Sequence, residues 1–188
     1  MPNALIPLAD GVEEMEAVIL IDVLRRAEWD VVSVGLREGP VTASRGVRLL
    51  PDKKWSEVNP DDFDWIILPG GAPGAQKLIA DDRVAYALQR HARAGKRLAA
   101  VCAAPTVLHA AGVIGGRAIT SHPSVAQRLG DARRSNERVV VDGPLVTSQG
   151  PGTCFDFALA IVAQEAGDEK ARRLAEAMIW SYQPTANT

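Results

Sequence analysis

A chain of 188 residues that is 47% hydrophobic and 23% charged, with a formal net charge of −2, has the composition of one soluble domain with a substantial core. Near-balanced charge and 5% aromatic content argue against a nucleic-acid surface, and the N-terminal apolar run, broken at Pro7, is too short for a signal or a membrane span. Two cysteines far apart suggest neither a disulfide framework nor a Cys-rich zinc site, so the expected setting is the reducing cytoplasm.

Residues 3–8 read as a first strand, and Asp10-Gly11 as the turn after it. Over residues 12–28 the spacing becomes helical, with Val12, Ile19, Val23 and Ala27 on one apolar stripe. Glu16 falls on the same stripe, where a carboxyl is costly unless neutral or paired. The alternative is a glutamate at the stripe's edge that reaches solvent. Glu13 and Glu14 can supply first-turn negative charge without turning inward. A second strand covers residues 31–36, and segments 41–43 and 47–50 make a small hairpin around Ser44-Arg45-Gly46.

Residues 63–68 form a strongly apolar strand that ends in Pro69-Gly70-Gly71-Ala72-Pro73-Gly74. Such a concentration of glycine and proline marks a loop whose backbone approaches something closely. A phosphate cradle is one reading, but the Lys-Ser/Thr ending of a P-loop and the spacing of a dinucleotide fingerprint are both missing. A helix follows over residues 81–94, with His91 among Arg90 and Arg93 on a solvated face.

The segment RLAAVCAAPT, residues 97–106, places Cys102 where a buried strand stops and a helix opened by Pro105 begins. A thiol there faces unpaired N–H groups and the positive end of a helix dipole, which predicts a lowered pKa and a reactive sulfur. The alternative is a small buried hydrophobe.

Beyond it come a helix to about residue 111 that packs His109 inside, and a short strand over 118–120. Ser121-His122-Pro123-Ser124 starts another helix; read alone, His122 is a turn histidine. Strands 138–141 and 145–148 flank Asp142-Gly143, a hairpin turn. A tight turn over 149–153 leads into helices 154–166 and 168–181, and residues 183–188 read as a loose tail. Cys154 shares an apolar face with Phe157, Ala158 and Ile161 and belongs to the core. No two histidines share a metal-ligand spacing. Alternating strands and helices predict a mostly parallel sheet covered on both faces, with Glu16, Gly70-Gly71 and Cys102 brought to the edge at the strands' carboxyl ends.

The stretches DGVEEMEAVILIDVLRRA, DWIILPGGAPGAQ, AAVCAAPTVL, ITSHPS and VTSQGPGTCFDFALAIV occur in an order that resembles the ThiJ/PfpI superfamily, in its branch of YajL and the Parkinson's-disease-associated protein deglycase. The resemblance spans most of the chain. It implies a flavodoxin-like three-layer α/β sandwich over residues 1–188 as a single domain, assembled as a homodimer, without cofactor or metal. It also implies a nucleophilic Cys102, a protonated Glu16 that hydrogen-bonds it, and a nearby His122. Gly70, Gly71 and Ala103 would form the substrate and oxyanion site, with the backbone N–H groups of Gly71 and Ala103 as donors.

The activity implied is that of a glyoxalase or deglycase acting on methylglyoxal, glyoxal or their early adducts on protein or nucleotide, in defence against carbonyl and oxidative stress. The alternative is a chaperone of client proteins, switched by oxidation of Cys102 to the sulfinate. Two departures stand out: Ala104 where the family commonly has glycine, and Ala72 where relatives often carry a polar residue. No histidine follows His122, so a complete Cys-His-acid triad, and with it a peptidase, is not supported.

Overall fold

Strands of near-continuous apolar sequence need cover on both faces, and the helices between them supply it. The structure is a computed structural model that describes residues 1–182 and 184. β1 (Asn3–Leu8) leads into α1 (Glu14–Arg26), β2 (Asp30–Gly35) and three short strands, β3 (Val41–Thr42), β4 (Arg48–Leu49) and β5 (Lys53–Lys54). Then come β6 (Trp65–Leu68), α2 (Ala72–Ile79), α3 (Asp82–Arg93), β7 (Arg97–Val101) and α4 (Pro105–Ala110). The chain closes with β8 (Ala118–Ile119), β9 (Arg133–Arg134), β10 (Val139–Asp142), β11 (Leu145–Ser148) and α5 (Cys154–Ala177).

The main sheet has the order β10-β11-β7-β6-β1-β2-β5, and only the β10–β11 pair within it is antiparallel. Side chains alternate between its faces. Ala4, Ile6, Leu8, Trp65, Ile67, Ala99 and Val101 pack toward α1 and α5. Leu5, Ile66, Leu68, Leu98 and Ala100 pack toward α2, α3 and α4. The result is the flavodoxin-like three-layer sandwich. Because β1, β6 and β7 are adjacent and parallel, their carboxyl ends open onto one edge of the sheet. No helix among the described residues is long and apolar enough to cross a membrane.

Several local readings change. The glycine-rich stretch is not all loop: α2 begins at Ala72, with Pro73 in its first turn, where a missing N–H is harmless. The segment after His122 is a run of 3₁₀ turns, Pro123–Leu129, and β9 pairs with β8 although Arg133-Arg134 carries no apolar signature. α5 is broken at Gly167, whose φ of 80° separates two helical segments at the place where the sequence divides them. His91 is 1% exposed rather than solvated, because it continues the Val84, Ala87, Leu88 stripe of α3 at helical spacing. Burial, and then the Lys96 charge, push its pKa down to about 4. The tail expected over 183–188 falls, apart from Pro184, outside the described residues.

Candidate active site

The glycine loop after β6 does approach something closely, and what it approaches is the turn between β1 and α1. The Gly70 carbonyl accepts from Glu13 N–H at 3.0 Å, and Gly74 N–H donates to Gly11 O at 3.2 Å. Gly71, at φ +89°, lies so near this turn that a Cβ would fall 2.3 Å from Gly11 O and 2.5 Å from Glu13 N. A Cβ on Gly70 would sit 2.6 Å from both Cys102 Cβ and Glu16 Oε2. Glycine is required at both positions by the chain itself, which leaves no phosphate cradle to explain.

Opposite this loop, β7 ends at Cys102, whose φ is 63°. A non-glycine residue in the left-handed region stores strain of order 1–3 kcal/mol, and such strain gathers at functional sites. The elbow is clamped on three sides. Cys102 N–H donates to Ser148 O at 3.0 Å, Cys102 O accepts from His122 N–H at 2.9 Å, and Ala104 N–H donates to Val101 O at 2.9 Å. This geometry turns the half-buried sulfur toward the backbone N–H groups of Gly71 and Ala103, both of which donate to it.

Glu16 stands in the first turn of α1, fully buried. Its Oε2 accepts from Gly70 N–H at 2.7 Å, while Oε1 has no conventional hydrogen-bond partner among the described residues. The Cys102 thiol is the side chain that bears on the carboxyl. Burial outweighs the Gly70 hydrogen bond and, helped by the Glu13 charge, raises the Glu16 pKa from its ordinary 4.5 to about 7.

The sulfur behaves otherwise than its position in the sequence suggests. Burial first, and then the Glu16 carboxylate, push the Cys102 thiol up to about 12 against the pull of the two N–H groups. α4 has only six residues and starts three positions beyond the sulfur, so its dipole is too weak and too far to win. The Glu16 carboxylate therefore disfavours the Cys102 thiolate, and the thiolate is more accessible when Glu16 is protonated and its charge is gone.

His122 reaches the site through its backbone. Its ring is exposed, lies 3.6 Å from the position a Gly150 Cβ would take, and is held by Ser124, whose N–H donates to Nδ1 at 3.2 Å with Oγ 2.7 Å away. The Gly70 N–H, already given to Glu16, orients that carboxyl, leaving those of Gly71 and Ala103 at the sulfur. Glu14 does turn inward: it is 7% exposed and accepts from Ser44 Oγ and Arg45 N–H, both at 2.8 Å, which ties α1 to the β3–β4 hairpin. Cys154 is fully buried in the core. The left-handed backbone at Cys102 has no signal in the sequence, since glycine is the residue that announces such a conformation. No group of three or more His, Cys, Asp or Glu residues among those described could hold a metal ion.

A parallel-sheet α/β protein with a strained cysteine elbow opposed by a buried carboxyl defines the class. The chain belongs to the DJ-1/PfpI family, whose model matches residues 2–164. It is 44% identical over 186 residues to Protein DJ-1alpha of Drosophila melanogaster, covering 97% of this chain and 86% of that protein. It is 37% identical over 172 residues to the glutathione-independent glyoxalase DJR-1.2 of Caenorhabditis elegans, covering 90% of this chain and 91% of the other. The crystal structure of Drosophila DJ-1beta superposes with a TM-score of 0.93 at 42% identity, covering 96% of this chain and 99% of that one.

Proposed function

We propose that this protein is a cofactor-independent cysteine enzyme that converts reactive dicarbonyls such as methylglyoxal and glyoxal, free or as early adducts on protein or nucleotide, to hydroxy acids. The observation that carries the reading is the Glu16 carboxyl, fully buried, raised to a pKa of about 7 and set against the Cys102 thiol. A proton carrier with a pKa near neutrality is suited to general acid–base work. The glyoxalase named among the relatives supports the same reaction class.

In the reaction, the Cys102 proton passes to Glu16 as sulfur attacks the aldehyde carbon of methylglyoxal and forms a C–S bond. The oxygen that becomes negative develops beside the Gly71 and Ala103 N–H groups. Glu16 then returns its proton to that oxygen, giving a hemithioacetal. A proton next moves from the former aldehyde carbon to the former ketone carbon while the hemithioacetal hydroxyl proton passes to the former ketone oxygen, which oxidises the first carbon, reduces the second and leaves a lactoyl thioester on sulfur. Water cleaves the thioester to lactate and free thiol, so no external oxidant or reductant is needed. Glu16 carries the later proton transfers, and His122 holds the elbow through its backbone N–H to Cys102 O.

The reading includes a homodimer. Met15 and Val18 on α1, with Val47 and Leu50 around β4, are exposed apolar side chains, and Glu14 joins these two elements into one surface. The deciding experiment compares wild type, Cys102→Ser and Glu16→Gln on free methylglyoxal and on a preformed glycated protein with free dicarbonyl trapped. Lactate formation should vanish in the first variant and fall in the second. Full turnover in both would overturn the proposal, and sedimentation as a monomer would remove the dimer.

A further inference from the structure

Glu13, the residue before α1, is tied to its surroundings at three points. Its side chain caps the helix: Oε2 accepts from Glu16 N–H at 2.8 Å. Its own N–H donates to Gly70 O at 3.0 Å, and its carbonyl accepts from Ala17 N–H at 3.1 Å. Capping at this position usually falls to Ser, Thr, Asp or Asn, whose short side chains fold back readily. A glutamate must spend more side-chain entropy to make the same bond, and what it adds over serine or threonine is a charge.

That charge is well placed to matter. The groups facing the Glu16 carboxyl are few: Gly70 N–H from the loop after β6, Cys102 from the end of β7, and Glu13 from its own helix. From α5, Cys154 donates its S–H to the Glu16 backbone carbonyl at 3.7 Å. Glu14 is turned away to Ser44 and Arg45. Among the described residues no Lys or Arg acts on the Glu16 carboxyl, and the carboxylate of Glu13 is the full charge that does. After burial and the Glu16 charge, the same carboxylate also disfavours ionisation of Cys154.

We propose that Glu13 is a positioning residue that acts through Glu16: its cap fixes where the Glu16 carboxyl points, and its negative charge strengthens that carboxyl's hold on a proton. The proposal deepens the enzymatic reading above and rests on it for its catalytic consequence. By placing a carboxylate at the N-cap, the chain strengthens Glu16 as the acceptor of the proton that Cys102 gives up when it becomes a thiolate.

The test separates charge from cap. Glu13→Gln keeps an acceptor oxygen and removes the charge; Glu13→Asp keeps both. Protonation of Glu16 is followed directly by the infrared band of a buried carboxylic acid against pH, with Glu16→Gln identifying the band, and lactate formation is measured over the same range. In Glu13→Gln the band should titrate about half to one pH unit lower than in wild type, with the acid limb of the rate profile moving by the same amount. Glu13→Asp should restore both midpoints. Equal midpoints in wild type and Glu13→Gln, or equal displacement in both variants, would overturn the proposal by leaving Glu13 a cap alone. A shifted band in a protein that makes no lactate would sustain the action on Glu16 while removing the glyoxalase reading.

Discussion

Cys102 and Cys154 lie on two sides of one residue and meet very different fates. Cys102 bears on the Glu16 carboxyl, whereas Cys154 donates its S–H to the Glu16 backbone carbonyl at 3.7 Å. Burial raises both thiols, Cys102 to about 12 and Cys154 well above its ordinary value, so burial alone does not distinguish them. Backbone does. Cys154 opens a helix with an ordinary φ of −71°, seated among Phe157, Ala158 and Ile161, whereas Cys102 is held at φ 63° with two N–H groups aimed at its sulfur. A thiol next to a carboxyl becomes chemically useful when the backbone supplies donors for the anion and the carboxyl can take up the proton.

The largest effect that tests this contrast is on turnover. Cys102→Ser should lower lactate formation by about 10³-fold or more, the scale on which loss of a nucleophile acts, while Cys154→Ser should stay within a few-fold of wild type. Comparable losses in both would erase the distinction. The neighbouring glycines provide the next test. Alanine at Gly70 would put its Cβ 2.6 Å from Cys102 Cβ and 2.8 Å from Val101 O, whereas at Gly152, two residues before Cys154, nothing lies within 4 Å. Gly70→Ala should cost about 4 kcal/mol in denaturant unfolding and Gly152→Ala less than about 0.5 kcal/mol. A tolerated Gly70→Ala would mean that the elbow is softer than its contacts imply.

Much of this arrangement was legible in the sequence because it follows from periodicity. The carboxyl edge shared by Glu16, Gly70-Gly71 and Cys102 follows from strands alternating with helices, and Glu16 is conspicuous as a carboxyl on an apolar stripe. What could not be read depends on contacts between distant segments. Local sequence places Glu14 outward because its partners, Ser44 and Arg45, lie 30 and 31 residues away along the chain. α2 was hidden inside a run rich in glycine and proline, whose helical start is fixed by packing of Gly71 and Gly74 against Gly11 and Val12. The charged neighbours of His91 point to a solvated face, whereas its own spacing points inward. The rule about helix ends that predicts a lowered Cys102 pKa takes no account of desolvation, which reverses the direction.

The smallest effect concerns the proton on Glu16 and shows in stability. The folded-state pKa of about 7 lies above the ordinary 4.5, so the folded protein holds this proton more tightly than the unfolded chain does. The stabilisation from that proton is complete below about 4.5 and is lost as pH rises through 7. At about 1.4 kcal/mol per unit, the full difference is up to ~3 kcal/mol. Glu16→Gln carries no such proton and keeps an oxygen for the Gly70 N–H, so its unfolding free energy should lose this slope and gain on wild type by up to ~3 kcal/mol above pH 8. The same variant removes the charge that disfavours the Cys102 thiolate. Iodoacetamide should therefore alkylate Cys102 faster in Glu16→Gln than in wild type above pH 7, even as lactate formation falls, and should leave Cys154 unmodified in the folded protein. Parallel stability–pH curves for the two proteins, or slower alkylation in the variant, would show that the carboxyl and the thiol are not coupled in this way.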